Sequence, residues 1–480
     1  MPWLEWLYHW RLEEAPDRIG SLSDTLHYHL VGIGGAGMSA IARILHDRGE
    51  AVSGSDRQEN DATRRLRSSG VHVSIGHDER NVEGADVVVY TAAVPEDNPE
   101  VAEARRRGIP LLERAAMLGR IMEPYRHRIA VSGTHGKTTT TSMISAIFDR
   151  AGLDASVLVG GDVGALNGNA RLGEGAVIVA EACEAFESFL HLRPSIAVLT
   201  NIDADHLDYY GTIEHVEDSF RQFLGQVSAD GCVVAFADDP RVRSVVESCD
   251  RRAVWFGLTG DPDVLARDID VSTPRAAYTL VRRGDILGRV MLGVPGEQNI
   301  VDALAASAVA FEMDVTFESI RDGLAAFRGA GRRFEILLEG DVMVVDDYAH
   351  HPTEVAATLG SAKSAYPDRR LVAVFQPHLY SRTQAFARDF ARSLSAADEV
   401  IVTAIYAARE QPIEGVSAET IVRILQESGF ANAIYAPDKD TVAADLACSL
   451  RRGDLALIMG AGDIREVGER LAETLGAGPQ

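Results

Sequence analysis

A chain of 480 residues with 46% hydrophobic content can build about two to four domains, and no apolar run in it approaches the ~20 residues of a membrane span. Its net charge of −24 argues against a nucleic-acid partner and requires any anion site to create its own positive potential. Four scattered cysteines (Cys183, Cys232, Cys249, Cys448) form no paired motif and fit a reducing cytoplasm, while MPWLEWLYHWRLEEAPD at the start lacks the basic lead of a secretory signal.

In residues 1–24, Trp3, Trp6 and Trp10 recur at helical spacing with Leu7 alongside. This predicts a short amphipathic helix packed on its own chain or against a second subunit, and monomer and homodimer both stay open. From His27 the pattern becomes strand, glycines, helix. Gly32, Gly34 and Gly37 satisfy G-x-G-x-x-G, and Asp56 closes the next strand. That fingerprint predicts a diphosphate-bearing nucleotide at a helix N-terminus without choosing a dinucleotide over a UDP-sugar. VHVSIGH, ADVVVYTAAVPEDNPE and IPLLERAAML continue a parallel α/β domain over residues 25–125.

The second domain, residues 126–329, opens with RIAVSGTHGKTTTT. An apolar strand, a glycine-bounded turn and a helical pattern (Met143, Ile144, Ile147, Phe148) make a shortened phosphate loop, Gly133 to Thr138. Backbone N–H groups and the helix N-terminus face the anion, Lys137 adds a charge, and Thr138 offers a hydroxyl to Mg²⁺. Only three lysines (Lys137, Lys363, Lys439) stand among 47 basic residues. A chain that uses arginine almost everywhere else and keeps lysine here needs a compact ammonium, for which a planar guanidinium is no substitute. Two further strands end in Glu181 with Glu184, and in Asp203, Asp205 and His206. Ligands of open α/β sheets gather at such carboxyl ends, so Glu181 and His206 are candidate Mg²⁺ ligands. Residues 251–294 read as β-hairpins with Arg283-Gly284-Asp285 as a turn. A third α/β layer, residues 330–480, carries DDYAHHP, QPHLYSR and GAGD at its strand ends, a polar surface suited to closing over another domain's site.

Two nucleotide sites on one chain point to ATP driving chemistry on a nucleotide-linked substrate. The motifs GIGGAGMSA, SGTHGKTTT, VAEACE, TNIDADHLDYYG, FRGAGRRFE, DDYAHHPTEV, FQPHLYSRT and MGAGD, spread over about residues 27–470, resemble those of the Mur ligases of peptidoglycan synthesis, in its alanine-adding branch. The resemblance implies three α/β domains: a Rossmann-like UDP-binding domain, a central ATPase-like domain with a mixed sheet, and a C-terminal Rossmann-like domain. It implies a cytoplasmic ligase that uses ATP and Mg²⁺ to join L-alanine to the carboxylate of UDP-N-acetylmuramate through an acyl phosphate. Gly133, Thr134, His135, Gly136, Lys137, Thr138 and Thr139 would hold the ATP phosphates, Asn299 the adenine and Asp347 the ribose. Thr138 and Glu181 would bind one Mg²⁺ and His206 a second. Gly34, Gly35, Ala36, Gly37 and Met38 would take the UDP diphosphate. Tyr348, His350 and Arg382 would line the alanine site, with His350 as proton acceptor.

The chain departs from the family pattern at several positions. Gln298 stands where His is usual, Asp302 where Asn is usual, Leu379 where many members have Arg, and Ala116 where Glu is common. EACEA replaces EADES around Glu184, and no lysine lies between Lys137 and Lys363 to serve as a modified metal ligand. A ligase that recycles a tripeptide onto the same sugar nucleotide is the nearest alternative. A dinucleotide oxidoreductase would leave the phosphate loop unexplained, and a non-catalytic scaffold would leave Lys137, Glu181 and His206 without a purpose.

Overall fold

The computed structural model describes residues 25–476 apart from 92, 93, 96 and 409; the tryptophan-bearing helix expected in residues 1–24 lies outside them. Two compact units result: the described residues up to Pro124 together with Gly168–Leu172, and Tyr125–Asn167 with the rest of the chain from Gly173.

In the first unit, β1 (His27–Val31), β2 (Ala51–Asp56), β3 (His72–Ile75), β4 (Val87–Tyr90) and β5 (Leu111–Glu113) form one parallel sheet in the order β3-β2-β1-β4-β5. The central strand β1 ends in the fully buried Leu30 and Val31, as a strand covered on both faces should. Helix Ala36–Asp47 then returns across the sheet on Met38, Ile41, Ile44 and Leu45, at i, i+3, i+6 and i+7.

The second unit holds two sheets. Strands β6 (His127–Ser132), β7 (Ser156–Val163), β8 (Gly168–Arg171, grouped with the first unit), β9 (Val177–Glu181), β10 (Ile196–Leu199), β11 (Cys232–Phe236), β12 (Arg252–Gly257), β13 (Val264–Asp270), β14 (Ala277–Arg282) and β15 (Asp285–Met291) follow in sequence. The central sheet runs β15-β14-β13-β12-β11-β10-β6-β9-β7, parallel from β7 to β13. Only β13-β14-β15 are antiparallel, with Arg283-Gly284 as the tight turn. The hairpin expectation for 251–294 therefore holds from β13 onward, whereas β12 extends the parallel sheet. Helices Lys137–Ala151 and Glu297–Glu312 bury Ile144, Ile147, Phe148, Ile300 and Leu304 in the main core.

The last sheet contains β16 (Glu335–Leu338), β17 (Met343–Asp347), β18 (Arg370–Phe375), β19 (Glu399–Val402), β20 (Ala433–Tyr435) and β21 (Asp454–Met459), in the order β16-β17-β21-β18-β19-β20. It is parallel except at the edge strand β16. Cores lie on both of its faces, which makes β18 and β21 nearly unbroken apolar runs and buries Met343, Val344 and Val345 at the start of β17. Across the described residues no helix is long and apolar enough to cross a membrane.

Candidate active site

Strand β6, flanked by β9 and β10, delivers its C-terminal end to the phosphate loop. The loop bends at two glycines that no other residue could replace. Gly133, at φ +129°, would press a Cβ to 2.1 Å from Thr200 Oγ1, and Gly136, at φ +82°, to 2.3 Å from Asp302. Thr200 and Asn201, just beyond β10, brace the turn. Thr200 Oγ1 donates to the His135 carbonyl at 2.6 Å, and the His135 N–H donates to Asn201 Oδ1 at 2.8 Å. Nothing in the chain's spacing singles out these two supports, because they lie 65 residues from the loop they hold.

Lys137 begins the helix. Its ammonium donates to the Gly133 and Thr134 carbonyls, at 2.6 and 2.8 Å, and lies 2.9 Å from Glu184 Oε2. Burial by itself would push the ammonium toward neutrality, but the charges of Glu184 and Glu181 outweigh it and hold its pKa above the usual lysine value. Glu184, in the departing EACEA stretch, is thus the lysine's buried counter-ion.

One helical step on, Thr138 Oγ1 donates to Glu181 Oε2 at 2.9 Å, and the Gly160 N–H donates to the same oxygen at 2.7 Å. A Cβ at position 160 would sit 2.7 Å from both carboxylate oxygens, so the strand opposite Glu181 must be bare. A hydroxyl and a carboxylate side by side are the hard oxygen donors Mg²⁺ takes. His206 occupies a left-handed turn (φ +53°) and faces Asp205 at 3.9 Å. Among the described residues no hydrogen bond or ion pair joins it to Thr138 or Glu181.

The C-terminal sheet meets this surface through charged pairs. The buried Arg382 is bonded to the partly buried Asp205, and its other amino group lies 3.2 Å from His378 Nδ1. Despite burial, Arg382 and neighbouring histidines hold the Asp205 carboxyl below its usual range. Thr353 Oγ1 donates to Asp203 Oδ2 at 2.7 Å. His135 spans Asp203 (Nε2, 3.3 Å) and Glu354 (Nδ1, 3.3 Å), and these two carboxylates overcome its burial and raise its pKa to about 9. Glu354 also accepts the His350 N–H at 3.0 Å and lies 3.1 Å from His350 Nδ1. Tyr348 packs edge-on against His350 with ring centroids 5.1 Å apart. Leu379, at φ +68°, is buried and makes no contribution to this polar surface.

Beside the loop opens a cavity of about 480 Å³, lined by Gly136, Thr139, Asn299, Asp302, Arg333 and Asp347 among others. The expected adenine and ribose residues therefore share one wall system with the phosphate loop. Asp347 accepts the Phe334 and Ala349 N–H groups at 2.8 Å each, yet burial raises its pKa to about 6 against the pull of Arg333. Burial raises Asp302 further, to about 7, with Thr140 donating to it at 3.2 Å. Gln298 pairs with Ser361 at 2.8 Å, while Asn299 Nδ2 donates to the Pro295 carbonyl at 2.6 Å.

In the first unit the glycine turn leads into the helix at Gly35. The Gly34 N–H is taken by Asp56 Oδ2 at 2.8 Å, so the acid that closes β2 shapes the loop itself. Met38 is 2% exposed, and its side chain belongs to the core. Asn169, absent from any sequence motif, donates to the Ala36 carbonyl at 2.5 Å and lies 2.8 Å from Ser39 Oγ.

Residues 27–126 match the Mur ligase family catalytic domain, 131–310 the Mur ligase middle domain and 332–462 the Mur ligase glutamate ligase domain. UDP-N-acetylmuramate–L-alanine ligase of Geobacter sp. (strain M21) is 46% identical over 444 residues, covering 92% of this chain and 96% of that protein. The enzyme of the same name from Caldanaerobacter subterraneus subsp. tengcongensis is 45% identical, covering 93% and 97%. Among solved structures, UDP-N-acetylmuramate-alanine ligase of Thermotoga maritima superposes with a TM-score of 0.82 at 29% identity, covering 95% of this chain and all of that one. A murein peptide ligase of Psychrobacter arcticus gives 0.69 at 25% identity over the same shares.

Proposed function

Because this chain belongs to the Mur ligase family, we propose that it joins L-alanine to the lactyl carboxylate of UDP-N-acetylmuramate at the expense of ATP. The observation that carries the reading is Lys137, fixed by two loop carbonyls and Glu184 in a loop whose Gly136 and Thr139 line one cavity with Asn299 and Asp347. The higher structural similarity to an alanine-adding enzyme than to a peptide ligase supports alanine over a tripeptide. In this reading residues 25–125 take the UDP-sugar, 126–329 the ATP and 330–480 the alanine, a division that the presence of three sheets supports.

A carboxylate resists attack by an amine because oxide is a poor leaving group. Transfer of the γ-phosphoryl group onto the carboxylate forms the C–O–P bond of an acyl phosphate and breaks the bond to ADP, which leaves; the amine of alanine then attacks the acyl carbon, forms the amide and displaces phosphate. The obstacle is charge. Each like-charged pair at ~4 Å costs about 4 kcal/mol at an effective dielectric of about 20, and ~1.4 kcal/mol is already tenfold in rate. The Gly133–Thr139 backbone and the helix N-terminus supply oriented N–H dipoles, and the Lys137 ammonium a full charge, without reorganising during the step. Thr138 and Glu181 fit Mg²⁺, which when bound neutralises phosphate charge; His206 is the proposed ligand of a second ion. Asn299 would orient the adenine and Asp347 the ribose. Tyr348, His350 and Arg382 would receive alanine, with His350 taking the amine proton and Glu354 holding its ring in place. The contacts of Asp203 and Asp205 with Thr353 and Arg382 support a closed arrangement that keeps water from the acyl phosphate.

The test is phosphate release with ATP, UDP-N-acetylmuramate and, in separate reactions, L-alanine, L-serine, glycine or a muropeptide tripeptide. Alanine-dependent phosphate and amide product are expected. Release that depends on the tripeptide and not on alanine would favour the recycling reaction instead.

A further inference from the structure

Three side chains from three segments converge beside the phosphate loop. His135 comes from the loop, Asp203 from the turn after β10, and His351 from the residue capping helix Pro352–Ala365. One nitrogen or oxygen of each lies within 4.8 Å of those of the other two. His135 Nε2 is 3.3 Å and His351 Nδ1 3.7 Å from the same oxygen, Asp203 Oδ2. Donors around a tetrahedral cation with bonds of about 2.0–2.1 Å stand ~3.4 Å apart, so small side-chain rotations bring this set into register. We propose that His135, Asp203 and His351 form a binding site for a zinc-class divalent cation, which ties the C-terminal sheet to the phosphate loop.

The surroundings are those of a ligand set. The second nitrogen of His135 faces Glu354 at 3.3 Å, the carboxylate–imidazole arrangement that fixes a metal-binding histidine's tautomer and orientation. Glu354 is itself held by the backbone N–H groups of His350 and His351, at 3.0 and 3.3 Å. His351 is 3% exposed, held edge-on to Phe386 with ring centroids 5.1 Å apart and tilted against the His135 ring at 5.0 Å. Its Nδ1 accepts the Thr353 N–H at 3.4 Å, so the lone pair sits on that nitrogen and the cation would replace this long bond. Two imidazoles and one carboxylate select zinc, cobalt or nickel over magnesium, which prefers the all-oxygen pair Thr138 and Glu181. Water would complete the coordination. Since the ligands come from the loop, the central sheet and the C-terminal sheet, the bound cation would slow opening and hence turnover.

The competing occupant of this space is a proton on His135, shared between Asp203 and Glu354. Co²⁺ titration of the full chain, without nucleotide and with the exposed Cys448 changed to serine, separates the two. The expected result is the visible d–d absorption of low-coordinate Co²⁺, saturating at one equivalent and displaced by Zn²⁺. Asp203→Asn and His351→Gln each abolish it, and Glu354→Gln weakens binding about 10–100-fold. Absence of these bands, or bands that persist in both Asp203→Asn and His351→Gln, would overturn the site and leave the proton as its occupant. Should a variant fail to fold, anomalous scattering from zinc-soaked crystals of the parent decides: a peak among the three side chains supports the site, and its absence refutes it.

Discussion

The chain contains two turns of the same outline, strand–glycines–helix, and they are equipped for different work. In the first unit, Gly34 and Gly35 lead into a helix whose first turn holds no charged side chain, and the nearby carboxylate of Asp56 is spent on the Gly34 N–H. In the second, Gly133 and Gly136 lead directly into Lys137 and Thr138, and the carboxylates of Glu184 and Glu181 are spent on that ammonium and that hydroxyl. Backbone N–H groups at a helix N-terminus suffice to hold a phosphate. Moving a phosphoryl group needs charge placed in advance. The contrast predicts that one turn tolerates loss of side-chain chemistry and the other does not.

The largest expected effect comes from Lys137→Arg. Charge is conserved, but a planar fork cannot reproduce contacts at 2.6 and 2.8 Å to two loop carbonyls while meeting Glu184. Turnover should fall at least ~100-fold, with the melting temperature of the nucleotide-free protein within a few degrees of the parent. Turnover within about threefold of the parent would mean that the loop needs only positive charge.

A smaller and more selective loss is expected from Gly34→Ala. The new Cβ would stand 2.7 Å from Asn60 Nδ2 and 2.8 Å from Asp56 Oδ2, pushing aside the groups that shape the first turn. KM for the UDP-sugar should rise about tenfold, the cost of ~1.4 kcal/mol, while KM for ATP stays put. Equal changes in both would erase the distinction between the turns.

The smallest effect concerns Asp302, above Gly136. Its pKa rises on folding from the usual 3.8 to about 7, mainly through burial, with Thr140, Arg333 and His135 opposing the rise. The folded state therefore holds this proton more tightly than the unfolded chain. That contribution to stability is complete below pH 3.8 and is lost as pH climbs through about 7. Asp302→Asn removes the dependence. Its melting temperature relative to the parent should be higher by a few degrees at about pH 8 than at about pH 5. A constant difference across that range would show that the carboxyl stays ionised throughout.

The sequence made some of this site legible and hid the rest, for a physical reason. The glycines, Lys137 and Thr138 must be adjacent to shape one turn, so their chemistry is written in consecutive residues. Glu181 was readable because a strand end is a predictable place. The supports are not local: Thr200 and Asn201 under the loop, Gly160 against Glu181, and Glu354 reaching His135 across 219 positions. Met38 was read as a diphosphate contact; its side chain lies in the core, which leaves its first-turn backbone N–H as the group for that role. Likewise β12 was read with the hairpins that follow it, although it pairs in parallel with β11 and β13 inside the sheet. Of the residues proposed for the alanine site, His350 meets Glu354 and Tyr348, whereas Arg382 is paired with Asp205, a partnership between residues 177 positions apart.

The central claim is that charge is placed in advance to let a carboxylate attack the γ-phosphoryl group. Positional labelling tests it most directly. UDP-N-acetylmuramate carrying ¹⁸O in its lactyl carboxylate is turned over with ATP and L-alanine, and the released phosphate is analysed by mass spectrometry. An acyl phosphate passes one carboxylate oxygen to each phosphate, so labelled phosphate should form in step with the amide. Amide formation with unlabelled phosphate would contradict the account.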